Sequence, residues 1–272
     1  ESQCQCSDPF LRTCEEFFRR HLFWHSLNDD SIFEPWLIVP AVRVGWEWGL
    51  AGERHRSDEP RGSYKIDYPI KNPSDIERLQ VPRHEVDEIQ TAERLSRVQE
   101  LFGDLLPVVA DRGPARRMWA ADLSTDLGQL RGIEHFMLDI MDNPAWLHRL
   151  MKFLSDGVLK CHAEAEQAGH WRLFHHQNQA MPYSEELPDP SPADQPVPRR
   201  RLWTFMAAQE FTLVSPPMHE EFLLRYQLPI LSHFGLVAYG FSEDLTNKIA
   251  MLRQIPNLRR IAVAPAANVA RC

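Results

Sequence analysis

The feature that most limits what this chain can fold into is a repeated pairing. Short, unbroken apolar runs end on polar or turn-forming residues, and amphipathic stretches separate one run from the next. The runs lie at residues 36–42, 105–110, 171–174, 235–238 and 260–264. A short run without polar alternation is the pattern of a strand covered on both faces, and such strands belong to parallel sheets flanked by helices. The reading is α/β, with parallel strands at 36–42, 106–110, 171–174, 236–238 and 261–264 in a single domain. At 272 residues a TIM (β/α)8 barrel suits the length. The chain ends near the seventh strand of such a barrel, so its last C-terminal elements are expected to be lacking.

The stretches between the runs read mainly as helices. Phe10, Cys14, Phe17, Phe18, His21 and Leu22 stripe one face of residues 9–27, which are expected to pack across the body of the domain. Residues 1–35 thus form an N-terminal helical segment, and 36–272 form the barrel. Residues 90–102 make a second helix, and Asn72 caps a brief one that stops at Pro82. Residues 144–168 are the clearest element. Asp142 or Asn143 is the N-cap, Pro144 opens the helix, and Leu147, Leu150, Met151, Leu154, Val158, Cys161 and Ala165 line one face up to Gly169. Six prolines within residues 181–201 exclude helix and central strand and leave a long loop or lid. Helical character resumes over 203–209, and Ser215-Pro216 opens a further helix that runs up to Pro229.

Candidate chemistry collects at the ends of the apolar runs. After residues 235–238, a Tyr239-Gly240 break leads to Ser242-Glu243-Asp244, and Leu245, Ile249 and Leu252 recur at helical spacing. That predicts strand, tight turn and helix, with Ser242 as N-cap and Glu243 and Asp244 in the first turn. A plain connection without function is the competing reading. Glu47 lies between Trp46 and Trp48, where desolvation would disfavour its ionised form; a solvent-facing loop glutamate is the alternative. Asp111-Arg112 suits charge recognition, or equally an ion pair within a turn. In His175-His176-Gln177 at most one histidine can face a pocket, so His176 or Gln177 is the candidate, against a surface histidine pair.

Composition removes several function classes. A formal charge of −8 and a pI near 5.8 oppose non-specific binding to nucleic acid or to anionic lipid, and Arg199-Arg200-Arg201 beside acidic residues reads as a solvated loop. No apolar run approaches the roughly 20 residues of a spanning helix, and the N-terminus lacks a signal-peptide profile, so a cytoplasmic protein is expected. Five cysteines, three of them clustered at Cys4, Cys6 and Cys14, do not make a disulfide framework and are read as reduced thiols.

Residues 67–75 with Pro82, Leu130-Arg131-Gly132-Ile133-Glu134 through Asp139, Asp142-Asn143-Pro144, Val214-Ser215-Pro216-Pro217-Met218 through Phe222, and Tyr239-Gly240 through Pro256 follow one another as landmarks. In this order they resemble the uroporphyrinogen decarboxylase-like superfamily, which includes zinc- and corrinoid-dependent methyltransferases. The resemblance runs from about Trp36 onward. It implies a barrel with its site at the carboxyl ends of the strands. The arginine-rich decarboxylase signature is replaced here by Val42-Arg43-Val44-Gly45-Trp46-Glu47-Trp48, which argues against uroporphyrinogen as substrate. The zinc-holding His-x-Cys pair falls on Tyr239 and Phe241, and related sequences of uncertain function carry Cys-Cys where Phe241-Ser242 stands. Tyr, Phe and Ser are not soft ligands, so zinc is not expected there and no metal site is assigned.

The implied activity is an enzyme acting on a small or corrinoid-linked substrate by methyl transfer or related chemistry, the corrinoid entering as substrate or bound to a partner. Tyr239, Glu243 and Glu47 are the catalytic candidates, and Asp111, Arg112, His176, Gln177 and Trp46 the substrate-binding ones. A homodimer is compatible with this reading. The alternative is a non-catalytic homologue that has lost its metal site and serves as a binding or assembly subunit.

Overall fold

Helix α1 (Pro9–Leu27) forms where its apolar stripe predicts it. Asp8 accepts the Leu11 N–H at 2.9 Å, and Asn28 leaves the helix in the left-handed region with φ 51°. Its packing differs from expectation, because no α1 residue is buried. Phe18 meets Phe102, Phe10 lies under Arg97 and His21 meets Phe33, so α1 rests along one edge and does not cross the body. The computed structural model describes residues 4–45, 47–57, 59, 62–115, 120–175 and 182–272.

From there the chain runs β1 (Leu37–Pro40), β2 (Val42–Val44), β3 (Glu53–Arg56), β4 (Tyr64–Asp67), a 3-10 turn (Pro73–Arg78), β5 (Glu85–Asp87), α2 (Glu88–Phe102) and β6 (Val108–Asp111). The helices α3 (Leu123–Arg131), α4 (Ile133–Asp142) and α5 (Pro144–Gln167) follow, then β7 (Trp203–Met206), α6 (Pro216–His219), a π-turn (Glu220–Leu224), α7 (Arg225–Leu231), β8 (Leu236–Tyr239), α8 (Ile249–Leu252) and β9 (Leu258–Ile261).

The TIM barrel expectation is corrected. Among the described residues the strands form three two-stranded sheets and one three-stranded sheet, without closure. β1 pairs with β6 and β7-β8-β9 pair in order, all parallel, while β2 pairs with β5 and β3 with β4 antiparallel. Residues 171–174 supply no strand to bridge β6 and β7. Trp171 is buried and spends its indole N–H on the His162 carbonyl, and the chain turns at once as His175 N–H bonds the Arg172 carbonyl. The apolar character there serves the core. β1 also departs from the both-faces-buried reading, since Leu37 and Val39 are buried while Ile38 and Pro40 are exposed.

Three further boundaries move. Residues 203–206, read as helical, are a strand buried at every position. Pro229 does not end its helix, which continues to Leu231. The last strand lies at Leu258–Ile261, earlier than the expected 261–264, with a bulge opposite Val237 and Ala238. Among the described residues no helix is long and apolar enough to cross a membrane.

The landmark segments lock onto one another. Arg131 pairs with Asp139 at 2.7 Å inside the protein and donates to the carbonyls of Ile70 and Lys71. Asp75 accepts the N–H groups of Lys71 and Asn72, and Gly132, at φ +82°, admits the Tyr68 ring. These residues hold α3 against the 68–78 segment. α5 then presents its seven predicted apolar residues to the core, none more than 2% exposed. Burial on this scale, at roughly 25 cal/mol per Å², is the main source of stability here.

Candidate acid–base site

The first turn of α3 carries a group of carboxyls. Asp122 is its N-cap, accepting the Thr125 N–H at 3.1 Å and hydroxyl at 2.8 Å with one oxygen, and the Ala207 N–H at 3.0 Å with the other. Asp126 follows one turn later. Glu210, in a 3-10 turn after β7 (Gln209–Phe211), accepts the Ser124 hydroxyl. That turn is anchored by the buried Lys248, whose ammonium donates to the Phe211 carbonyl at 2.7 Å. Burial pushes the Lys248 ammonium down to about 8, against the opposing pull of Glu243 and Asp244.

Two glycines in the middle of helices make this arrangement possible. A Cβ on Gly128 would sit 2.8 Å from the Glu210 side chain, and one on Gly157 would sit 2.7 Å from the Trp48 ring. Each costs its helix about 1 kcal/mol relative to alanine, and each provides a seat that no other residue leaves open. Trp48 is fixed further by its carbonyl, which accepts the Gln80 N–H at 2.8 Å, and by Phe153.

Beside these groups is a cavity of about 390 Å³, walled by Glu47, Trp48, Arg54, Ile66, Asp126 and Gln129. Asp126 keeps part of its surface toward it. Loss of hydration, followed by the nearby charge of Asp122, pushes the Asp126 carboxyl up to about 7; hydrogen bonding from Trp48 opposes the rise and Glu210 adds to it. Asp122 is likewise raised to about 7 by burial, with Glu210 adding and the Ala207 and Thr125 donors opposing. Asp126 is the carboxyl that opens onto the cavity, and a group half-ionised near neutrality can both take and give a proton.

The residues singled out in the sequence are placed as follows. Glu47 is exposed, not desolvated between tryptophans, and lies at the mouth of this cavity and of a second one of about 870 Å³ lined by Arg43, Arg83 and Lys160. Trp46, His176 and Gln177 lie outside the described residues. Asp111 is buried 2.7 Å from His175 Nε2, which makes no aligned hydrogen bond there, while the Nδ1 of that histidine accepts the Arg172 N–H. Arg112 turns away to a bidentate pair with Glu88 at the start of α2, a partner outside the turn that neither sequence reading named.

Tyr239 and Glu243 have structural duties. Tyr239 is 1% exposed, and its hydroxyl donates to Gln227 at 2.7 Å while His219 Nε2 lies 2.9 Å away. Burial pushes the His219 ring down to about 3, so it is neutral and donates from Nε2. Glu243 does not start a helix. Gly240, at φ +90°, turns the chain, and Glu243 points inward to accept the N–H groups of Ala208 and Phe241, each at 2.8 Å. Residues 241–248 are irregular, so Ser242 caps nothing. Asp111 and Tyr239 thus have separate partners, and Glu47 lies at the surface.

Asp122, Asp126, Glu210, Trp48 and Lys248 were not among the sequence candidates. Asp122-Leu-Ser-Thr before an apolar run is a helix-start signature that could have located α3. The partnership with Glu210 has no local signal. Among the described residues no group of three or more His, Cys, Asp or Glu side chains could hold a metal ion. Compared with protein-family models, curated proteins and solved structures, the chain matches none.

Proposed function

We propose that this chain is a uroporphyrinogen decarboxylase-like enzyme acting by acid–base catalysis on a small or corrinoid-linked substrate other than uroporphyrinogen, with Asp126 as the proton-exchanging group. One observation carries the reading: a carboxyl raised to about 7 that opens onto a cavity walled by Trp48 and Glu47. Methyl transfer to a thiol or ammonium releases a proton, and loss of carbon dioxide from a carboxylate leaves a carbanion that takes one up. Both need a group poised near neutrality, and such groups typically contribute about 10²–10⁴-fold in rate. Glu47, at the cavity mouth, supplies a second carboxylate for orientation. An acidic composition, with no spanning helix among the described residues, supports placing the enzyme in the cytoplasm.

The test supplies methylcobalamin with a thiol acceptor, and a carboxylated substrate in a parallel assay, and follows loss of the cobalt–carbon absorbance or release of carbon dioxide. The expected result is turnover whose rate profile has a midpoint near pH 7 and which falls about 10²-fold or more in Asp126→Asn. Unchanged turnover in that variant overturns the assignment. A second reading, the non-catalytic binding subunit, is favoured by one observation: Tyr239 and Glu243 are consumed by internal hydrogen bonds. It predicts ligand binding without turnover.

A further inference from the structure

We propose that the cavity between β3 and α3 recognises an organic ammonium group, seated beside Trp48 and between the carboxyls of Asp126 and Glu47. The inference rests on the assignment of this cavity as the functional site and adds the substrate class to it. Three features of the wall point the same way. An indole is the best aromatic partner for an alkylated ammonium, through the negative face of its ring. Glu47 and Asp126 line the same cavity and supply charge opposite to that of the guest. The remaining wall sets Leu50, Ala51, Ile66 and Leu130 beside Gly52, Arg54 and Gln129, and those four apolar side chains suit the methyl or methylene groups of an alkylated nitrogen better than a hydrated metal ion.

Arg54 also lines the cavity, on β3, with its guanidinium 5.3 Å from the centre of the Tyr64 ring. That stacking holds one cation of the wall against an aromatic face and leaves the Trp48 end to the carboxylates. Seating Trp48 requires Gly157 in the middle of α5, a local cost to the helix that a plain packing contact does not need. The net charge of −8 raises the local concentration of cations around the molecule.

Calorimetric titration of the intact chain with choline, and with its neutral isostere 3,3-dimethylbutan-1-ol, tests the proposal at fixed ionic strength at pH 6 and pH 8. Choline should bind and the isostere should not. Choline affinity should rise about tenfold between the two pH values as Asp126 ionises. Asp126→Asn, which keeps the side-chain shape, should abolish that rise; the exposed Glu47→Gln should weaken binding several-fold at both pH values. Equal binding of the isostere, no choline binding, or a pH dependence that survives Asp126→Asn overturns it. Binding is read without turnover, so the two proposals fail separately. Choline bound by a protein that turns nothing over sinks the acid–base reading alone, and turnover of another substrate without choline binding sinks this one alone.

Discussion

Asp126 and Glu243 carry the same functional group, and their neighbours give them opposite uses. Glu243 is buried where two backbone N–H groups point at it, and its charge is spent on closing the turn after β8. Asp126 loses its hydration, has Asp122 and Glu210 as neighbours, and gains a proton instead. The linkage follows directly. A carboxyl whose folded pKa is raised to about 7 adds no penalty below its unfolded value near 4, adds a growing one as pH rises from about 4 to 7, and a constant one above. Stability should therefore fall across that window. Asp126→Asn should flatten part of the fall and stabilise the protein at pH 8 by about 1–2 kcal/mol, allowing for solvent that reaches the group through the cavity. Urea unfolding at pH 5 and pH 8 measures both effects. Tyr239→Phe tests the other kind of residue. Its loss leaves His219 and Gln227 facing an apolar ring edge, so about 1–3 kcal/mol of stability should go, with cavity binding unchanged. A weakened ligand with full stability would return Tyr239 to the site.

The elements show which parts of a sequence carry their own instructions. α1 and α5 were legible nearly to the residue because the apolar period and, for α5, Pro144 and the Gly169 turn act within a few positions of one another. β7 was not, because a strand buried at all four positions has no alternation, and Trp203-Thr204-Phe205-Met206 is a strand only through the partner Leu236–Tyr239. Trp171 misled for the converse reason, since core burial gave it strand-like neighbours and no partner. The candidate site was legible at Glu47 alone. Asp126 and Glu210 meet across α3 and the turn after β7, and the seats that allow the meeting are mid-helix glycines, which sequence reading scores only as weak helix formers. Gly157→Ala separates the two effects. Helix propensity predicts a gain of about 1 kcal/mol, whereas displacing Trp48 from α5 predicts a net loss of about 1–3 kcal/mol and a weakened cavity. Thermal unfolding decides the sign. Arg131→Met should cost about 3–5 kcal/mol by leaving Asp139 charged and unpaired between α3 and α4. A loss below 1 kcal/mol would mean the interlock of the landmark segments is not what holds α3 in place.

For the whole molecule, the principal core unites α3, α4, α5 and the helical run from Pro216 to Leu231, and a smaller cluster of Trp203, Phe205, Ala207, Leu236 and Ala238 lies around β7 and β8. The candidate site lies where the first of these meets the 47–54 segment. Its three parts, Trp48, Asp126 and Glu210, come from widely separated stretches and are brought together only by the complete fold. One property therefore reports on the whole arrangement: the ionisation of Asp126. Carbon-13 NMR titration of aspartate-labelled protein, with Asp126→Asn identifying the resonance, reads it without any substrate. The account predicts a midpoint near pH 7 for the Asp126 carboxyl. A midpoint near 4, the ordinary value for an aspartate in water, would contradict it.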